Sequence, residues 1–228
     1  SGSRQFRFKL LARMSPAALL LACVAALGAA SEIDLVTFDG AETTTHSFRE
    51  MNDPVMGGAS SGRSYLEGGA LVMDGEVAII PFLGAPGFIQ SLTQDSQPFP
   101  DVSSCKGLIL DVRSRSPYKG YRFSFGNAHA AGGRKHAYGY KQSFQAPVGE
   151  SGLVKLPFSG FTDYWDDATG EPIKTCQESP KNCPDAAALG DLQTVAVWAE
   201  GVAGKVHLEL RGVRAYGCAA RAEEFLVA

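Results

Sequence analysis

Short runs of alternating apolar and polar residues, each stopped within a few positions by glycine or proline, recur along this chain from about residue 33 onwards. In residues 121–125, Tyr121, Phe123 and Phe125 share one face while Arg122 and Ser124 share the other. In residues 205–213, Val206, Leu208 and Leu210 oppose His207, Glu209 and Arg211. A side-chain period of two belongs to a strand with one buried face. Further strands are expected at residues 33–38, 63–67, 70–74, 76–82, 87–92, 107–113, 138–145, 153–157 and 194–198. Residues 184–192 are expected to make one or two helical turns. Glycine (26 residues) and proline (12) supply the tight turns that many short strands require. The fold class expected is therefore all-β, an antiparallel β-sandwich or jelly roll, over residues 31–228. At 45% hydrophobic residues the chain can fill one sizeable core.

The net charge of −3 is unevenly placed. Residues 1–13 carry Arg4, Arg7, Lys9 and Arg13 and no acid, so the rest of the chain holds 17 basic and 24 acidic residues, a balance of −7. An acidic body speaks against a nucleic-acid partner, because phosphate binding needs a basic face. The basic segment runs into an uncharged stretch, PAALLLACVAALGAA, at residues 16–30. Basic flank, apolar run and small residues make a signal-sequence layout. The run is shorter than the roughly 20 residues that span a bilayer, although Leu10 and Leu11 extend it if Arg13 snorkels. A cleaved export signal competes with a retained one. The chain starts at Ser1 without an initiator Met, which we take as the mark of an upstream targeting peptide already removed. Residues 14–30 are thus expected to form a retained membrane helix contacting the lipid bilayer, with the β-domain across the membrane from the basic segment.

Cys23 lies in the apolar run; Cys105, Cys176, Cys183 and Cys218 remain. An even number in an exported domain suggests disulfides. Cys176 and Cys183 bracket the loop QESPKN, leaving Cys105, just before a strand, for Cys218, just after the last one. Zinc is disfavoured because no C-x-x-C pair is present.

The most informative segment is Asn52-Asp53-Pro54-Val55-Met56-Gly57-Gly58-Ala59-Ser60-Ser61-Gly62. Asp-Pro sets a turn, Gly57 and Gly58 allow backbone angles closed to other residues, and Ser60 and Ser61 can bond nearby amides. The run resembles the signature of the complex I intermediate-associated protein 30 family, in which a D-x-V-M-G-G-x-S segment opens a galactose-binding-like jelly roll. Gly87-Phe88-Ile89-Gln90-Ser91 resembles that family's Gly-Phe strand. Residues 138–144, followed by VKLPFSGF at 154–161, resemble its paired aromatic block, and residues 208–213 its closing strand. The resemblance spans roughly residues 34–215. It departs where Phe48 to Met51 replace a Trp before the Asp, where Leu92 and Thr93 replace an Arg, and where DYWDDATGEPIKTCQESPKNCP replaces the family's loop.

Other patterns compete with these. Residues 58–62 match G-x-S-x-G, the nucleophile elbow of serine hydrolases, but that mechanism needs a preceding strand, a following helix and a His-acid pair. A Pro-Gly turn precedes Ser60 and a strand-like run follows it, so a structural turn is favoured. His129 and His136 sit in a glycine-rich cationic stretch and read as surface loop, and His46 and His207 show no partner pattern. Asp163, Asp166, Asp167 and Glu171 could offer oxygens to calcium, yet match no EF-hand; a solvated acidic loop is favoured. No cofactor is expected.

The resemblance implies a non-enzymatic accessory subunit or assembly factor that binds protein subunits of a membrane energy-conversion complex. The cysteines and anchor favour a photosystem, with the domain in the thylakoid lumen; a mitochondrial inner-membrane location is the alternative. A carbohydrate-binding module is the competing function, since the same architecture often binds sugars, and a Ser60 hydrolase is the third reading. The contact face is expected at the turn, through Asn52, Asp53, Met56, Gly57, Gly58 and Ser60, or on the loop at 163–184, through exposed Tyr164 and Trp165. On this reading Ser60→Ala costs at most about 1 kcal/mol, one lost turn hydrogen bond.

Overall fold

Two antiparallel sheets face each other across one core in the computed structural model, which describes residues 31–53, 57–126, 139–166 and 169–219. The first sheet contains β1 (Ser31–Val36), β3 (Ser61–Glu67), β4 (Ala70–Val77), β8 (Gly107–Ser114), β11 (Gly152–Pro157) and β13 (Gly204–Cys218). Its order is β11-β8-β13-β4-β3, with β1 also paired to β13. The second contains β2 (Phe48–Asn52), β7 (Phe88–Thr93), β9 (Tyr121–Gly126), β10 (Tyr140–Ser143) and β12 (Thr194–Glu200), in the order β10-β9-β12-β7-β2. A separate two-stranded ribbon pairs β5 (Ile79–Ile80) with β6 (Ala85–Pro86). This is the antiparallel sandwich that the strand pattern predicts. The expected membrane helix at 14–30 lies outside the described residues. Among those described, no helix is long and apolar enough to cross a membrane.

The alternating strands fill the core. Tyr121, Phe123 and Phe125 of β9 are completely buried. The Phe125 ring packs 4.7 Å from Phe161 and 5.8 Å from Phe158, both from the aromatic block after β11. Each such ring contributes on the order of 1.5–3 kcal/mol by burial. In β13, Val206, Leu208 and Leu210 point inward as expected, but the inward set continues with Val213 and Ala215, out of phase by one residue. A bulge between Leu210 and Gly212 absorbs the extra residue. It lets one 15-residue strand keep both halves on the core.

Two expectations need correcting. Residues 76–82 do not form one strand: β4 ends at Val77, and the chain turns out of the sheet before the two-residue β5. Pro81 has no amide to donate to a ladder, and the Ala78 amide is bonded to the Ser60 side chain. In the other direction, β2 (FREMN) is a strand that the pattern conceals, because it is a charged sheet edge with little alternation. The helical turns expected at 184–192 appear as α1 (Ala186–Gly190), capped by Asp185, whose carboxylate accepts from the Ala188 amide.

The disulfides pair Cys105 with Cys218 and Cys176 with Cys183. Cys105–Cys218 ties the approach to β8 to the end of β13 across 113 positions.

Candidate interaction site

The turn at 52–62 leaves the edge strand β2, and Asp53, the first residue past it, is wholly buried. Its carboxylate accepts three hydrogen bonds: from the Ser60 amide (2.8 Å), the Ser60 hydroxyl (2.7 Å) and the Phe88 amide (3.3 Å). Ser60, equally buried, accepts in turn from the Ala78 amide at 3.0 Å. The turn closes where the Gly58 amide donates to the Asp53 carbonyl. The glycines are there for room. A Cβ on Gly58 would lie 2.2 Å from Asp53 Cγ, and one on Gly87 would lie 1.4 Å from its Oδ2. Asn52 bonds the Gly62 carbonyl through Nδ2. Asp53 and Ser60 are therefore internal braces, while Gly57 and Ala59 are exposed. Met56 lies outside the described residues, as do Pro54 and Val55.

What the braces hold is the ribbon at 79–86. Ala78 and Phe88, both bonded to the Asp53–Ser60 pair, flank the ribbon's two ends, and the Gly87 amide closes its neck on the Ala78 carbonyl at 2.9 Å. At the tip, the Leu83 and Gly84 amides both donate to the Ile80 carbonyl, and Gly84 takes a positive φ of 62°. The ribbon presents large apolar side chains to solvent: Phe82 is 70% exposed, Leu83 52% and Ile79 47%. A Cβ on Gly57 would sit 3.8 Å from the Phe82 ring, so turn and ribbon share one surface. The sequence reading missed this element by taking residues 76–82 as a strand. Pro81, Gly84 and Pro86, in a stretch without charge, were the signal for a projecting turn.

The loop at 163–184 is placed differently from expectation. Trp165, expected at the surface, is only 5% exposed and Tyr164 is half-buried. Lys141 of β10 is the reason: its ammonium lies 3.7 Å from the Trp165 ring centroid and 4.2 Å from that of Trp198. It also bonds Glu200 at 2.7 Å. Arg122, on the outward face of β9, reaches Glu171 at 2.6 Å and the Glu200 carbonyl at 3.1 Å. Charges buried this way are tolerable because they are paired. A cavity of about 50 Å³ remains beside Arg122, Lys141, Gln142 and Trp165.

The other candidates are accounted for locally. Asp163 accepts from Asn182 and Asp166 from Thr169, while Glu171 meets Arg122; Asp167 lies outside the described residues. Among the described residues, no three His, Cys, Asp or Glu side chains gather as a metal site. His46 bonds Asp95 and stacks on Phe99 at 4.1 Å, and His207 bonds Asp74, so neither serves Ser60. His129 and His136 are outside the described residues. Burial opposes charge on Asp95, yet bonds from His46, Ser47 and Gln97 outweigh it and hold the carboxyl below its ordinary 3.8. Glu209 is likewise lowered from 4.5: burial works against it, and bonds from Arg113 and Arg115 prevail. Burial, reinforced by the Glu200 charge, pushes the Tyr118 hydroxyl well up.

The sequence matches the family Complex I intermediate-associated protein 30 over residues 36–177, from the end of β1 through the signature turn and into the cysteine loop. The chain belongs to that family. A search of curated proteins gives no match. Among solved structures, this Complex I intermediate-associated protein 30 family domain is similar to the family 11 carbohydrate-binding module from Clostridium thermocellum in complex with a beta-1,3-1,4-mixed-linked tetrasaccharide. That alignment covers 84% of this chain and 99% of the module at 13% identity, with a TM-score of 0.53. An agarase structure aligns at 12% identity over 82% of this chain and 25% of its own, with a TM-score of 0.45. At such identities the likeness to the module speaks for the sandwich fold and for nothing further.

Proposed function

We propose that this protein is a non-enzymatic accessory subunit or assembly factor that docks on a membrane energy-conversion complex. The observation carrying this reading is the use made of the signature: its two reactive-looking side chains, Asp53 and Ser60, are fully buried and bonded to each other and to main-chain amides. Ser60 is buried with its hydroxyl donated to Asp53, and the described histidines, His46 and His207, are bonded elsewhere, so the serine has no histidine base and no open path to a substrate. The signature shapes a surface instead, and the family's connection with complex I supports a protein partner. The two disulfides favour an oxidising compartment. Within this reading the domain sits in the thylakoid lumen, the complex is a photosystem, and residues 14–30 anchor the chain.

The competing carbohydrate reading has less support. Sugars stack on accessible rings, and Trp165 and Trp198 are both buried, with Lys141 against each.

The test is density-gradient separation of mildly solubilised membranes, with the chain followed by immunoblot. Co-migration with a photosystem is expected. Migration as a free monomer under every detergent condition that keeps the complex whole would remove the proposal. So would a hydrolytic activity lost in a folded Ser60→Ala variant.

A further inference from the structure

We infer that the ribbon at 79–86 is the anchor of that docking, a preformed apolar finger that enters an apolar pocket on a protein subunit of the complex. The inference rests on the docking function just proposed and adds to it the element and the chemistry. Three large apolar side chains are exposed on one eight-residue ribbon, Phe82 and Leu83 at its tip and Ile79 at its neck opposite Pro86. Single exposed apolar residues are ordinary on protein surfaces, but a cluster on a projecting tip marks a contact.

The finger is rigid before it binds. Its tip is closed by two amides on the Ile80 carbonyl, and Gly87 shuts its neck on Ala78. Ala78 and Phe88 on either side are bonded to Ser60 and Asp53. Pro81 and Pro86 restrict its backbone further. An element held in its bound shape loses little conformational freedom on association. This gives the signature a purpose: the buried Asp-Ser pair aims the finger.

Charge decides between a protein pocket and a lipid surface. Elements that dip into a bilayer interface combine apolar residues with Lys or Arg, which meet anionic headgroups. Residues 77–94, which include the finger, and residues 54–62, which include the turn beside it, hold no charged residue. Residues 14–228 balance to −7, which an anionic leaflet repels. A desolvated apolar pocket asks for the opposite, an uncharged aromatic anchor, and such anchors dominate binding at interface centres.

The experiment adds purified full-length protein to the isolated complex with which the wild type co-migrates. It compares Phe82→Asp/Leu83→Asp with Leu66→Asp. Leu66 is 63% exposed and lies on β3 opposite Leu71, six residues and roughly 20 Å along β4 from Val77, where the chain leaves for the finger. The double variant is expected to bind at least tenfold more weakly, and Leu66→Asp to bind like the wild type, with all three unfolding at similar temperatures. A benzophenone side chain at position 82 is expected to cross-link one subunit of the complex. Wild-type binding with an unaffected double variant would overturn the finger alone, whereas absence of wild-type binding would count against the docking function itself. Phe82-dependent flotation with phosphatidylcholine or phosphatidylglycerol vesicles would overturn it in favour of lipid. Phe82-dependent dimers in sedimentation velocity would overturn it in favour of a second copy of this chain.

Discussion

Ser60→Ala puts the role of the signature to the test on stability alone. The hydroxyl makes two contacts inside the protein, donating to Asp53 Oδ2 at 2.7 Å and accepting from the Ala78 amide at 3.0 Å. Removing it takes from the carboxylate its shorter Oδ2 donor, leaving that oxygen only the Phe88 amide at 3.3 Å. A hydrogen bond to a charged group contributes about 1.5–3 kcal/mol, and a buried amide left without an acceptor costs about 1–3 kcal/mol. Ala78 is only partly buried, so water recovers some of the second cost. The expected loss is about 2–4 kcal/mol, above the ~1 kcal/mol that a lone turn hydrogen bond would give. For a domain of this size, 3 kcal/mol lowers the melting temperature by about 6–12 °C. Urea unfolding measures the loss, and amide exchange at Ala78 and Phe88 locates it. A loss under about 1 kcal/mol with unchanged exchange at Ala78 would refute the reasoning, because the hydroxyl would then be holding nothing.

Trp165→Ala should cost about 3–5 kcal/mol of stability, the range for emptying a buried aromatic site, and a urea titration would show it; attachment to the complex should follow only from unfolding. Because Glu209 and Asp95 titrate below their ordinary 4.5 and 3.8 when folded, their contribution is fully present above those values and is lost as pH falls through the folded ones. Denaturation midpoints should therefore hold steady to roughly pH 5 and then fall, with a shallower fall in Glu209→Gln. Replacing Cys105 and Cys218 together by Ala should cost on the order of 4–5 kcal/mol in the chain-entropy treatment of a loop this long, read from the unfolding midpoint with and without reductant.

Where one face of a strand is buried and the other polar, the sequence states the strand openly, as in β9 with Tyr121, Phe123 and Phe125. The cysteine pairing was legible for a related reason: a short loop claims Cys176 and Cys183, and strand ends are left for the other two. The bulge in β13 was not legible, because an extra residue changes the phase without changing the residue types. β2 was hidden by its edge position. Trp165 was misplaced because its neighbours Asp163, Asp166 and Asp167 look solvated. Its burial comes from Lys141, distant in the chain and brought beside it by the 141–162 pairing of main chains. At the turn, the residue types pointed correctly to tight geometry. The direction of the Asp53 and Ser60 side chains, inward toward Phe88 and Ala78, depends on strands that no local pattern reports.

Two neighbouring regions of the domain invert what hydropathy alone would place at the surface. In one, Arg122, Lys141 and Glu200 are buried with two tryptophans; in the other, an Asp and a Ser are buried while Phe82 and Leu83 stay in water. Burying paired charges gains little net stability over an apolar filling, so the first arrangement is better understood as fixing how the 163–184 loop sits on the sheet. The second has a cost of its own, since three exposed apolar side chains forgo the burial energy that each would contribute in a core. Selection for stability alone would turn those residues inward or replace them by polar ones. That they stand outward on a ribbon braced by the family's signature fits a surface kept for a partner. It also separates the effects of mutation. Changes in the Asp53–Ser60 brace should reduce stability and docking together, whereas changes at Phe82 and Leu83 should reduce docking and leave stability untouched.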